Sequence, residues 1–310
     1  MLIIIVSSLE WFWRNHNYRP SVIDDYSLWS YYREQVYDKD DKKTVVLIGS
    51  SRIQLGFSMS TFRSMFPNYR LVQLAVPGKL PMAVLKDLAT DPNFNGIVIC
   101  SGTAHAFKAG TRYQQQAYLN HFEKKWNVNT KLNRLIALSL QEQFVIFSYQ
   151  VRMLRLINGF YQDHSLPKAS FITTHADRSR LADYSSEDYT NRPTKLGAIG
   201  VSKKTKALAP KQWLNEAKWV NQWVAKIQQR DGQVVFVRFP TAFKSLLSKK
   251  LYWDRFANET SAVTIHFRNM PGLKTFNMPD TSHLDYRDAP IFTENLLNIL
   301  VQKGVLQKNK

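Results

Sequence analysis

The 310-residue chain has one cysteine, Cys100, so no internal disulfide can brace it, and cysteine usage does not decide its compartment. At the end of an apolar run, Cys100 reads as a small buried hydrophobe. Long apolar runs are lacking too. Met1-Leu2-Ile3-Ile4-Ile5-Val6 opens the chain, but the stretch reaches only Leu9 before Glu10. A membrane helix needs about 20 apolar residues, and a signal peptide carries a basic region before its apolar core, which is missing here. Glycine and proline number 12 each beside a 44% hydrophobic fraction, which excludes wholesale disorder. His164, His175, Asp163 and Asp177 lie near one another without tight ligand spacing, so no metal or other cofactor is expected. Acidic residues are scarce, 24 against 42 Lys and Arg, giving a formal net charge of +18 concentrated between residues 111 and 230. That excess favours acidic partners such as anionic lipid head groups or acidic polysaccharides, the alternative being a solvated basic surface. With no finger, helix-turn-helix or RNP signature, nucleic acid is not an expected partner.

What is present has a βαβ rhythm. Strand-like apolar runs cover 44–49, 71–76, 96–101 and 234–239, and Met59 to Met65 and Met82 to Leu88 have helical spacing between them. Continuous apolar runs, rather than alternating ones, belong in a parallel sheet with helices on both faces. Residues 106–230 are too many for a loop and predict a largely helical cap insertion within a domain of residues 41–310. In that cap Leu132, Leu135, Ile136, Leu138, Leu140, Phe144, Val145, Phe147, Val151, Leu154 and Leu156 recur at near-helical intervals, which reads as core, or as an amphipathic face toward a membrane. Ser165 to Pro210, with Pro167, Pro193, Gly197, Gly200 and Lys203-Lys204-Thr205-Lys206, reads as exposed and mobile. A closing helix is predicted over Ala289 to Lys303, with Pro290 in its first turn.

Residues 1–40 hold Trp11, Trp13, Tyr18, Tyr26, Trp29, Tyr31, Tyr32 and Tyr37 beside Arg14 and Arg19, the aromatic and basic mixture of a bilayer boundary. They read as the remnant of a signal anchor, or as a buried first element. An envelope location, membrane-anchored or facing the periplasm or exterior, is expected, with the cytoplasm left open.

Two stretches carry residues suited to chemistry. Gly49-Ser50-Ser51-Arg52 follows the run Thr44 to Ile48, so Ser51 stands where a buried strand turns into a helix whose first N–H groups are unpaired. Asp280-Thr281-Ser282-His283 follows Pro279 in a turn, and a spacing of three lets a carboxylate hold an imidazole. Arg52 and Arg238 stand at strand ends on the same side and could hold an anionic group, or salt-bridge to Asp280 or Asp285.

These blocks resemble the SGNH, or GDSL, hydrolase superfamily, whose first block places a serine third in Gly-Asp-Ser and whose last is Asp-x-x-His. The resemblance implies an α/β, flavodoxin-like parallel sheet flanked by helices, with Ser51 as nucleophile, His283 as base and Asp280 as its orienter. Leu71 to Gly78 matches a second block, which implies that the N–H groups of Ser51 and Gly78 form an oxyanion hole. Val234 to Pro240, Tyr252-Trp253-Asp254 and Ser282 to Asp285 look like the envelope-associated branch, with its polysaccharide O-acetyltransferases and esterases. That implies an acylated glycan or lipid-like substrate. Two positions depart from the pattern. Ser50 replaces the block-one aspartate, and Gly102-Thr103-Ala104-His105 replaces the Gly-x-Asn-Asp of block three. Losing one oxyanion donor can cost about 10²- to 10³-fold in rate, so Thr103 or His105 substitutes for it, or the site is slow or inactive. The alternative reading is therefore a catalytically inactive scaffold that binds acidic polymer or a membrane partner through its basic cap.

Overall fold

Side chains alternate along the central strands, and each set enters a different core. A computed structural model describes residues 1–37, 42–163, 166, 169–186, 209–242 and 248–308. The cluster Lys203-Lys204-Thr205-Lys206, with Pro167, Pro193, Gly197 and Gly200, lies outside the described residues. In chain order the strands are β1 (Lys43–Ile48), β2 (Tyr69–Gln73), β3 (Ile97–Ser101), β4 (Ile172–Thr174), β5 (Arg180–Ala182), β6 (Gln233–Arg238) and β7 (Val263–His266). Five of them form one parallel sheet in the order β2-β1-β3-β6-β7, while β4 and β5 pair as a hairpin. This is the expected α/β, flavodoxin-like arrangement. β7 was not legible as a strand because it has only four residues and two of them, Thr264 and His266, are polar.

The first helices are α1 (Leu2–Asn15), α2 (Tyr26–Glu34), α3 (Ser51–Gly56), α4 (Met59–Met65), α5 (Met82–Thr90), α6 (Gln116–Lys125), α7 (Val128–Gln143) and α8 (Met153–Asp163). Val46, Ile48, Val98, Cys100, Val234 and Phe236 face one core, covered by α2, α5 and the helices Pro210–Ala217 and Asn221–Gln228. Val45, Leu47, Ile97, Ile99, Val235 and Val237 face the other, under α3, α4 and the closing helix Asp288–Gln302. Burying both faces explains why these strands read as unbroken apolar runs.

The edge of the sheet is protected from within the chain. Beyond Gln73 the pairing continues irregularly, with Leu74 N–H donating to Leu47 O (2.8 Å) and Val76 N–H to Gly49 O (3.1 Å). The outward carbonyls go to side chains instead of another strand. Trp29 Nε1 donates to Leu74 O (2.9 Å), and the Arg178 guanidinium donates to the carbonyls of Gln73 and Ala75. Trp29 is fully buried, so this part of the aromatic N-terminal segment belongs to the core. Trp13 and Tyr18 are buried against Val145 and Val151, whereas Ile3, Ile4, Ile5, Leu9 and Trp11 of α1 are exposed. No described helix is long and apolar enough to cross a membrane.

Two expectations for the 106–230 stretch are corrected. Of its apolar stripe, Leu138, Val145 and Val151 are buried, but Leu132, Ile136, Phe147 and Leu154 are exposed. The buried face of α7 is Arg134, Leu138 and Gln141, because Arg134 donates to Ile23 O (3.0 Å) and to Gln141 Oε1 (3.3 Å). Within the stretch read as exposed and mobile, β4 and β5 form a hairpin with several buried residues, among them Thr174 and Ala182. Arg178, in its turn, is wholly buried and ion-paired to Asp24 (2.6 Å).

Candidate active site

In an open parallel sheet of this order the chain winds to one side after β1 and to the other after β2, which leaves a crevice beyond the carboxyl ends of β1 and β3. Ser51 follows β1, Gly78 follows β2, and Thr103 and His105 follow β3. The turn to Ser51 needs Gly49. Its φ is +154°, and a Cβ there would stand 2.8 Å from both Ile53 Cγ2 and Ser101 Cβ. Ser50 is extended and Ser51 is the first residue of α3, so its hydroxyl rises from a rigid edge.

The late block meets the early one. His283 Nε2 lies 2.8 Å from Ser51 Oγ, and His283 Nδ1 lies 2.7 Å from Asp280 Oδ2. An ionised carboxylate only accepts hydrogen bonds, so Nδ1 carries the proton and Nε2 is free to accept from the serine hydroxyl. Asp280 is itself held by four donors. Oδ1 accepts from the N–H groups of Ser282 (2.9 Å) and His283 (2.8 Å), and Oδ2 accepts from the Tyr184 hydroxyl (2.8 Å) as well as from the imidazole. Burial pushes the Asp280 carboxyl up, and these hydrogen bonds, led by that from His283, overcome it and hold the group at about 2. The turn is also pinned from β6, since Thr241 Oγ1 (3.0 Å) and Ala242 N–H (2.9 Å) both donate to Thr281 O.

The remaining candidates separate. Gly78 has φ +71° in an open loop, a backbone that glycine tolerates. Thr103 is half-buried and His105 exposed. Neither side chain has a hydrogen bond to the triad among the described residues. Burial, with Lys108 beside it, pushes the His105 imidazole below its ordinary value. Neither Arg52 nor Arg238 forms an ion pair with Asp280 or Asp285. Asp280 is saturated by its four donors, and Asp285 is occupied by Arg287 Nε (2.6 Å) and Tyr184 N–H (3.0 Å). Burial pushes Arg238 down to about 9, helped by Arg52 and Arg268 nearby.

Two positioning residues were not found by reading the sequence. Tyr184 comes from the hairpin segment read as loose, and a lone tyrosine 96 positions before Asp280 gives no local signal. Gln115, fully buried, donates from Nε2 to Gly49 O (3.0 Å) and Lys79 O (3.4 Å), tying the Ser51 turn to the Gly78 loop. Its neighbour Gln114 accepts from Leu80 N–H (2.8 Å), so the run Gln114-Gln115-Gln116 was the available signal.

No protein-family model matches the chain, and no curated protein matches it. Among solved structures, that of TesA aligns over 85% of this chain and 100% of its own, at 11% identity and a TM-score of 0.39, a likeness that carries no argument here. The functional reading therefore stands on the geometry of the site.

Proposed function

We propose that this protein is a serine esterase or O-acyl transferase, acting on an acetyl or similar acyl ester of a glycan or lipid-like substrate at the cell envelope. The observation that carries the reading is the continuous chain of hydrogen bonds from Ser51 Oγ through His283 to Asp280. Ser51 Oγ attacks the ester carbonyl while His283 Nε2 takes its proton. The tetrahedral oxyanion faces the amides of Ser51 and Gly78. Its collapse expels the alcohol, which receives the proton from His283. Water, or a second alcohol, then releases the acyl group by the same steps reversed. An intact and tightly braced triad favours this reading over the inactive scaffold. The test is covalent trapping of Ser51 by a fluorophosphonate, with Ser51→Ala as control.

For the setting, we propose an anionic membrane surface. Met153, Leu154, Ile157, Phe160 and Tyr161 form one exposed stripe on α8, with Arg152 and Arg155 on the same segment. α1 packs against the segment ahead of α8, where Glu10 accepts from Val145 N–H (2.9 Å) and Ile146 N–H (3.1 Å). Co-sedimentation with phosphatidylglycerol vesicles is expected, and Ile157→Asp with Phe160→Asp should reduce it at least about tenfold. Binding unchanged by these substitutions, or equal on phosphatidylcholine, would contradict the proposal.

A further inference from the structure

Beside the triad, at the carboxyl ends of β6 and β7, the site holds positive charge without matching negative charge. Arg238 ends β6 and pairs in register with His266, which ends β7. Both line a cleft with Lys249, Arg268, Thr241 and Ala104. Thr241 is tied through Thr281 O to the turn that carries Asp280 and His283, so the cleft borders that turn. Lys249 is neutralised by Asp254, with Nζ 2.6 and 2.8 Å from its two oxygens. Among the described residues none of Arg52, Arg238 and Arg268 has a carboxylate within ion-pair distance, although Asp280 acts on Arg52 through space. Among the described residues the one side-chain hydrogen bond of Arg238 goes to Phe239 O at 3.4 Å, and Arg52 Nε is buried without a hydrogen-bond partner.

Guanidinium groups crowded together and partly desolvated repel one another, and each leaves planar N–H donors unused. Carboxylate and phosphate oxygens satisfy such donors in pairs and cancel the repulsion. His266 adds a neutral donor. Its Nδ1 accepts from Arg268 N–H (3.2 Å), which places the ring proton on Nε2. Burial, with Arg238, Lys249 and Arg268 around it, pushes this imidazole down to about 4, which keeps it uncharged near neutrality.

We propose that this cleft is an anion subsite that takes a carboxylate or phosphate group carried by the acylated substrate, held by Arg238 and Arg268. Its link to catalysis rests on the esterase reading of Ser51; its affinity for an anion does not. The substrate class narrows accordingly, to esters of acidic glycans or of phosphate-bearing molecules rather than neutral ones.

The test is calorimetric titration of the full chain with inorganic phosphate and with galacturonate, in the wild type, Ser51→Ala, Arg238→Gln and Arg268→Gln. The result expected is saturable binding of one of these anions by the wild type and by Ser51→Ala, weakened at least about tenfold by either arginine substitution. Arg268 is exposed, so its variant reports on the subsite even if the chain with Arg238→Gln at a half-buried position fails to fold. Tighter galacturonate binding identifies a carboxylate ligand and tighter phosphate binding a phosphate ligand, and each supports the subsite. Affinities unchanged in Arg268→Gln, or no saturable binding of either anion, would overturn it. So would co-sedimentation with phosphatidylglycerol vesicles that falls in the arginine variants while neither soluble anion binds, since that result assigns the charge to a lipid surface. Anion binding in a protein that resists fluorophosphonate leaves the subsite standing and removes the esterase.

Discussion

Replacing His283 with alanine is expected to lower kcat/KM for an aryl acetate by at least about 10³-fold, because the serine hydroxyl then has no base within reach and the departing alcohol no acid. The imidazole is the only group hydrogen-bonded to Ser51 Oγ among the described residues. Asp280→Asn should cost a comparable factor by a different route. Its amide can donate to Nδ1 and so favour the tautomer with the proton on Nε2, where it blocks acceptance from serine. The same variant carries a pH signature. The Asp280 carboxyl is held at about 2 against an ordinary value of 3.8. A carboxyl depressed on folding contributes stability that is complete above its ordinary value and is lost as the pH falls through its folded one. The stability advantage of the wild type over Asp280→Asn should therefore be present above about pH 4 and shrink toward pH 2. A gap that stays constant across that range would contradict the assigned hydrogen bonds.

Arg178→Met is expected to lower the free energy of unfolding by about 3–5 kcal/mol, read as a fall in the urea midpoint, since it removes the ion pair of the partly buried Asp24 and the guanidinium donors of two carbonyls at once. Arg178 is wholly buried, bonds Asp24 Oδ1, and satisfies the Gln73 and Ala75 carbonyls beyond the end of β2. Asp24 keeps a hydrogen bond from Gln54 Nε2 (3.0 Å) and the more distant charges of Arg134 and Arg180, none of which replaces the direct ion pair. The hairpin that Arg178 anchors also carries Tyr184 to Asp280. Activity measured well below the midpoint should therefore fall in this variant too. An unfolding free energy within about 0.5 kcal/mol of the wild type would show that the guanidinium is dispensable.

The triad was legible because its members lie in two short blocks, each with its own local geometry. The strand run Thr44 to Ile48 ends at a glycine that must be glycine, and Asp280 sits one turn before the imidazole it holds. The sheet was legible where strands are buried on both faces and so read as unbroken apolar runs. β7 failed that test, with polar residues at two of its four positions. What stayed hidden depends on contacts distant in sequence. The reading of the Leu132 to Leu156 stripe as core holds only in part, because on α7 Arg134 and Gln141 share the buried face with Leu138 and find partners around Ile23, which no periodicity reveals. Tyr184, Gln115 and Arg178 are polar residues whose positions follow from the packed fold, and none stands in a motif. The arginine cleft was partly legible, in Arg238, but Arg268 and His266 join it only through the unforeseen pairing of β6 with β7.

The most direct test of the account is the mass of the intact chain after exposure to a fluorophosphonate. The wild type should gain a single phosphonyl group, located by peptide mass on Ser51, while Ser51→Ala gains none and His283→Ala reacts far more slowly. A wild-type chain that stays unlabelled, or a label that persists in Ser51→Ala, would contradict the claim that Ser51 is the activated nucleophile.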